Sequence, residues 1–153
     1  MQKSTEKRAI LSGCSKARVS STPIYPSCFS AIALDVETDG FDPYHGDRVF
    51  GWSYMTNTGE YGWVEKTPLS LEWLFEVLYT PGHHVIFHNG KFDIKMLLFD
   101  GLDIDQIKAK FDDTMVLAKC LNSTRLDYSL RGLSVELLGR ETDDKDEVEY
   151  WLK

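Results

Sequence analysis

At 153 residues the chain has room for one domain with an adequate core, and 42% hydrophobic with 12% aromatic residues exclude a disordered or fibrous protein. Its 17 basic and 24 acidic residues leave a net charge of −7, which excludes a surface that grips phosphate by basic charge alone. An acidic chain partly escapes the need for a basic surface where bound cations supply positive charge at the point of chemistry.

Residues 1 to about 27 are rich in Ser and Lys, end in P-I-Y-P-S, and read as a flexible leader ahead of a domain spanning 28–153. Leu11-Ser12-Gly13-Cys14 matches a lipoprotein cleavage box in letters only, because just Ala9, Ile10 and Leu11 precede it as an apolar run. A first strand is expected over about Phe29–Val36, then a Gly, Asp and Pro loop over Asp39–Gly46. Val49–Thr56 and Glu60–Glu65 form a hairpin around Asn57-Thr58-Gly59. An amphipathic helix over Leu69–Tyr79, with Leu71, Leu74, Phe75 and Leu78 inward, stops at Pro81-Gly82. Val85, Ile86 and Phe87 make a short buried strand, and Asn89 is a candidate N-cap for the helix that follows. In that helix Phe92, Met96 and Phe99 recur at helical spacing, flanked by Ile94, Leu97 and Leu98. A short strand near Lys110–Phe111 precedes two more helical stretches, and Asp112 or Asp113 caps the helix opening at Thr114. Strands in a meander, then strands separated by helices, predict an α/β mixed sheet flanked by helices.

Smaller features carry structure rather than chemistry. Cys14, Cys28 and Cys120 are odd in number and lack metal-ligand spacing, so reduced thiols in a cytoplasm-like compartment are expected. No apolar run reaches the roughly 18 residues that a membrane span needs. Strand alternation splits His83, His84 and His88 across faces, which argues against zinc. Trp52, Trp63, Trp73 and Trp151 are read as core and sheet packing, and the acidic run Glu141–Glu149 as a solvated face.

The chemistry is concentrated in A-I-A-L-D-V-E-T-D-G, Ala31–Gly40. Alternation puts Asp35 and Glu37 on one face of the strand while Val36 points into the core. Adjacent carboxylates repel unless a cation lies between them, and their oxygens suit hard ions such as Mg²⁺ or Mn²⁺. A strand end with two solvated acids is the plainer reading of that triplet taken alone. Asp93 supplies a third acid in the first turn of the later helix, where the helix dipole already favours a carboxylate.

L-D-V-E-T-D-G followed by H-N-G-K-F-D-I-K-M-L resembles the first two motifs of the DEDD 3′–5′ exonucleases. The greatest likeness is to the proofreading domain of family A DNA polymerases, with ribonuclease D more distant. F-D-D-T-M-V-L-A-K-C-L (Phe111–Leu121) and Y-S-L-R-G-L-S-V-E-L-L-G (Tyr128–Gly139) continue the resemblance. It implies a ribonuclease H-like fold and hydrolysis of phosphodiesters from a 3′ end with two Mg²⁺ or Mn²⁺ ions. By that resemblance Asp35 bridges both ions, Glu37 holds the ion on the hydroxide side, and Asp93 helps hold the second. Thr38 and Asn89 match positions that contact the terminal nucleotide. The implied partners are the 3′ end of single-stranded DNA, with RNA not excluded, and a DNA polymerase domain. The implied compartment is the cytoplasm of a bacterial or phage-infected cell, or an organelle.

One departure limits the resemblance. The family needs a fourth carboxylate, an Asp four residues after a Tyr or five after a His, and residues 140–153 contain no such pair. Asp143, Asp144, Asp146, Glu147 and Glu149 precede Tyr150 rather than follow it. The domain is therefore expected to be incomplete at its C-terminal side, with Val116, Leu117, Leu133 and Leu137 partly uncovered or covered by a partner. Two functions follow from this: a truncated or split piece of a proofreading-type exonuclease, or a catalytically inactive module that binds single strands or a polymerase.

Overall fold

The computed structural model describes residues 28–139. Five strands and four α-helices follow one another along them: β1 (Ala31–Thr38), β2 (Val49–Thr56), β3 (Tyr61–Glu65), α1 (Pro68–Tyr79), β4 (His84–Phe87), α2 (Gly90–Phe99), β5 (Lys110–Asp113), α3 (Thr114–Leu121) and α4 (Leu130–Leu138). The sheet order is β3-β2-β1-β4-β5; the β1–β2 and β2–β3 pairs are antiparallel, and β4 runs parallel to both β1 and β5. This mixed sheet with flanking helices is the ribonuclease H-like arrangement expected. The leader over 1–27 and the acidic run Glu141–Glu149 lie outside the described residues.

One sheet face carries the core. Ile32, Leu34 and Val36 of β1, Trp52 of β2, Val64 of β3, and Val85 and Phe87 of β4 are buried there against Leu74, Val77 and Leu78 of α1 and Met96 and Leu97 of α2. On the opposite face Ala33, Asp35 and Glu37 stand exposed. The period-2 alternation of β1 is thus an energetic division: slipping its register by one residue would bury both acids and expose three aliphatic side chains.

Several boundaries differ from expectation for local reasons. β1 starts two residues later than expected and runs on to Thr38, because pairing with β2 continues through Glu37↔Gly51 and Thr38↔Val49. Asp35 and Glu37 therefore belong to the paired strand and not to its frayed end. Helix α1 begins at Pro68 because Thr67 and Ser70 form a reciprocal capping box, Thr67 Oγ1 accepting the Ser70 N–H at 3.1 Å and Ser70 Oγ the Thr67 N–H at 2.7 Å. In α2 the buried positions are Asp93, Met96 and Leu97, while Phe99 remains 37% exposed. The inward stripe is rotated by about one residue from the one the apolar spacing suggested, and a carboxylate lies on it. Of the four positions expected to be uncovered on α3 and α4, Val116, Leu117 and Leu137 are exposed, but Leu133 is buried.

Candidate active site

The parallel pairing of β4 with β1 is short: it runs from Ala31↔His84 to Ala33↔Ile86 and ends as the chain turns out of β4. Beyond Ala33 that edge of β1 has no strand beside it, and the backbone N–H groups there need other acceptors. Asp93 supplies one. Its Oδ1 accepts the Val36 N–H at 3.0 Å, which holds the carboxylate of α2 against the backbone between Asp35 and Glu37.

Two residues make that turn possible. Asn89 adopts a left-handed conformation, φ 63° and ψ 41°, which asparagine tolerates better than most residues. It does not cap α2 as expected, since its side chain makes no cap hydrogen bond. Gly90 then passes so close to β4 that a Cβ there would stand 2.7 Å from Phe87 Cβ. The capping is done from β5. Asp113 accepts the Asn89 and Gly90 N–H groups at 3.1 and 2.8 Å, and also those of Met115 and Val116 at the start of α3. Partial burial works against its charge, but these four donors prevail and hold the Asp113 carboxyl below the usual range. Of the two aspartates expected to cap, Asp113 does so, and Asp112 instead pairs with His84 at 2.6 Å. One side chain thereby joins two helix starts.

The electrostatics of the acids follow from this placement. Asp93 is 2% exposed, and its carboxyl is pushed up to about 6. Burial is the largest cause; the Val36 N–H opposes it, and the negative charge of Asp35 adds to it. Asp35 is likewise held above the ordinary carboxylate range by desolvation, with the nearby His88 opposing. The Thr114 hydroxyl donates to the Phe87 carbonyl at 3.2 Å, so His88 Nδ1 acts as donor to Thr114 Oγ1 at 2.9 Å. Asp35 and Asp93 are thus brought into mutual repulsion.

Glu37 is exposed on the same face as Asp35, opposite Gly51. Thr38 Oγ1 donates to the Gly40 carbonyl at 2.6 Å, and Asp39 accepts the Arg48 N–H at 2.6 Å; both side chains brace the loop after β1. Asn89 is exposed. Among the described residues no three His, Cys, Asp or Glu side chains are gathered closely enough to enclose a metal ion. The sequence reading missed the double role of Asp113; the signal was an Asp at a helix start preceded by a strand parallel to its neighbour. Trp63 packs on the sheet over Gly51 as expected, and half of its side chain is also open to solvent.

Comparison with known proteins bears on the family and the fold. The profile of the 3′–5′ exonuclease family matches residues 10–153. DNA polymerase DpoZ of Vibrio phage phiVC8 is 30% identical over 128 residues, covering 75% of this chain and 20% of the polymerase. DpoZ of Acinetobacter phage SH-Ab 15497 is 30% identical over 118 residues, covering 76% of this chain and 18% of the polymerase. The chain therefore spans about a fifth of the length of these relatives. Among solved structures, Brucella melitensis NrnC with bound Mg²⁺ superposes with a TM-score of 0.61 at 22% identity, over 76% of this chain and 57% of NrnC. Escherichia coli RNase D gives a TM-score of 0.58 at 17% identity, over 77% of this chain and 30% of RNase D. At those identities the structures bear on the fold alone, and the family rests on the profile and the phage polymerases. This chain belongs to the 3′–5′ exonuclease family, and phage DNA polymerases are among its relatives.

Proposed function

We propose that Asp35, Glu37 and Asp93 hold Mg²⁺ or Mn²⁺ and that the chain takes part in hydrolysis of phosphodiesters at the 3′ end of single-stranded DNA. The observation that carries this reading is Asp93, a buried carboxylate hydrogen-bonded to the Val36 N–H and raised to about 6 with Asp35 among the causes. A fold does not keep two mutually repelling acids beside a strand edge for stability, and hard oxygen donors in this pattern suit a divalent cation. Two such ions, where bound, activate water and stabilise the leaving 3′ oxygen.

The residues contribute position. Asp93 is fixed by α2 and by its bond to Val36, Asp35 and Glu37 are fixed by strand pairing, and Asp113 ties the start of α2 to the end of β5. Thr38 and Asn89, at the two chain segments that flank the acids, are proposed to contact the terminal nucleotide. Residence within a larger phage-type DNA polymerase, in the cytoplasm of an infected cell, is the setting that the relatives support; among the described residues no helix is long and apolar enough to cross a membrane.

A second reading is a module that binds single strands or a polymerase without cutting. Incubating the chain with a 5′-labelled oligodeoxynucleotide and Mn²⁺ separates the two. Shortening from the 3′ end that disappears with Asp35→Ala supports hydrolysis. Binding without shortening supports the module, and shortening indifferent to Asp35→Ala removes the acid site from the account.

A further inference from the structure

The sheet face that carries the acids continues into an aromatic surface. Cross-strand pairing sets Asp35 opposite Ser53, and Ser53 opposite Trp63, so these three stand in one row across β1, β2 and β3. The adjacent rows are Glu37, Gly51, Glu65 and Ala33, Met55, Tyr61. Asp35 and Trp63 are thus two strand spacings apart, about 10 Å. Between them the floor is made of small residues, Ser53 and Gly51.

Gly51 is small because Trp63 occupies its side-chain space. A Cβ at position 51 would lie 2.2 Å from Trp63 Cζ2, so the indole leans along the sheet over Gly51, toward the row of Glu37. The register shift after Glu37 leaves Phe50 without a partner on β1, and its ring lies 5.9 Å from that of Trp63. Phe50 and Trp63 are 49% and 50% exposed. Two large rings held in place beside a polar site, with half their surface wet, are not ordinary surface packing.

We propose that Phe50 and Trp63 form a stacking platform for a base of the single strand whose 3′ end lies at Asp35 and Glu37. The proposal rests on the nuclease reading for the identity of its ligand. Aromatic side chains bind bases of any sequence through their faces. In the row beside the platform Glu37 and Glu65 are exposed and acidic, and Lys66, whose N–H donates to the Phe50 carbonyl, has its ammonium paired with Asp100, so these groups offer nothing to phosphate. Recognition at this place is therefore by ring face, and its share of the affinity is insensitive to salt, unlike phosphate contacts.

The test is a double cycle with the full 153-residue chain in Ca²⁺, reading fluorescence anisotropy of 5′-labelled oligothymidylate and of the same oligomer with abasic sites. Trp63→Ala is expected to weaken binding of the normal oligomer about tenfold. Trp63→Phe should restore most of that loss, and the abasic oligomer should bind wild type and Trp63→Ala alike. Melting curves identify any variant that fails to fold, in which case Phe50→Ala takes its place in the cycle. Equal losses from the abasic sites in wild type and variant would overturn the platform, as would no measurable binding by the wild type. A change in self-association in place of a change in oligomer binding would also overturn it, marking the surface as a protein contact. Mn²⁺ binding by wild type and Asp35→Ala is read separately, so that platform and acid site can fail independently.

Discussion

Replacing Asp93 by Asn should make the protein more stable while removing its proposed chemistry. The carboxyl of Asp93 is held at about 6, against an ordinary 3.8. Keeping it ionised in the folded chain at pH 7.5 therefore costs about 3 kcal/mol, at about 1.4 kcal/mol per factor of ten. The sign is that of a raised carboxyl: the stabilisation from its proton is fully present below about pH 4 and is lost as the pH rises through about 6. Asparagine keeps an oxygen for the Val36 N–H and carries no charge. Without divalent cations, Asp93→Asn should melt roughly 6–12 °C above wild type at pH 7.5. The difference should shrink to about 1 kcal/mol at pH 4.5, where wild-type Asp93 is protonated in the fold. Adding Mn²⁺ should raise the melting temperature of the wild type and narrow the gap at pH 7.5, because a ligand of the folded state stabilises it. Thermal melts by circular dichroism, with and without Mn²⁺ at the two pH values, make the comparison. An Asn variant no more stable than wild type, or a gap independent of pH, would refute the buried-charge argument.

Asp113→Ala removes the acceptor of four backbone N–H groups at two helix starts and should destabilise the chain by about 2–4 kcal/mol in urea titrations. Because that carboxyl is held below its usual range, its contribution is present above the ordinary carboxylate range and is lost as the pH falls through its lowered value. Gly90→Ala sets a methyl against Phe87, should cost about 1–3 kcal/mol, and should weaken Mn²⁺ binding by displacing the start of α2 that carries Asp93. With Mn²⁺ the chain should shorten a 5′-labelled oligonucleotide from its 3′ end, and Asp35→Ala should abolish that trimming. Trimming unchanged by Asp35→Ala would remove the acid site from the mechanism.

Much of this was legible in the residues. The alternation of Ile32, Leu34 and Val36 with Asp35 and Glu37 is a period that only a strand with one buried face satisfies, and the structure follows it. The place of Asp93 was less accessible. Its position in the first turn of α2 could be read from the sequence, but its bond to Val36 depends on where the β1–β4 pairing stops, which no local pattern encodes. The expected Asn89 cap failed for a similar reason. The local rule allowed Asn89 to cap its own helix, but Asp113, 24 residues on, occupied that role and left Asn89 free to take the left-handed turn. Trp63 was read as packing because an aromatic residue in a strand is usually that. Its exposure follows from β3 being the outer strand of the sheet and from Gly51 leaving its neighbour low.

The claim on which the account depends is that Asp35, Glu37 and Asp93 act together on one divalent site. Electron paramagnetic resonance of free Mn²⁺, titrated against wild type and against Asp35→Ala, Glu37→Ala and Asp93→Asn, measures it directly. The account predicts tight Mn²⁺ binding by the wild type, competed by Mg²⁺ and lost in Asp35→Ala and Asp93→Asn, with Glu37→Ala weakened. Equal Mn²⁺ binding by the wild type and all three variants would contradict it.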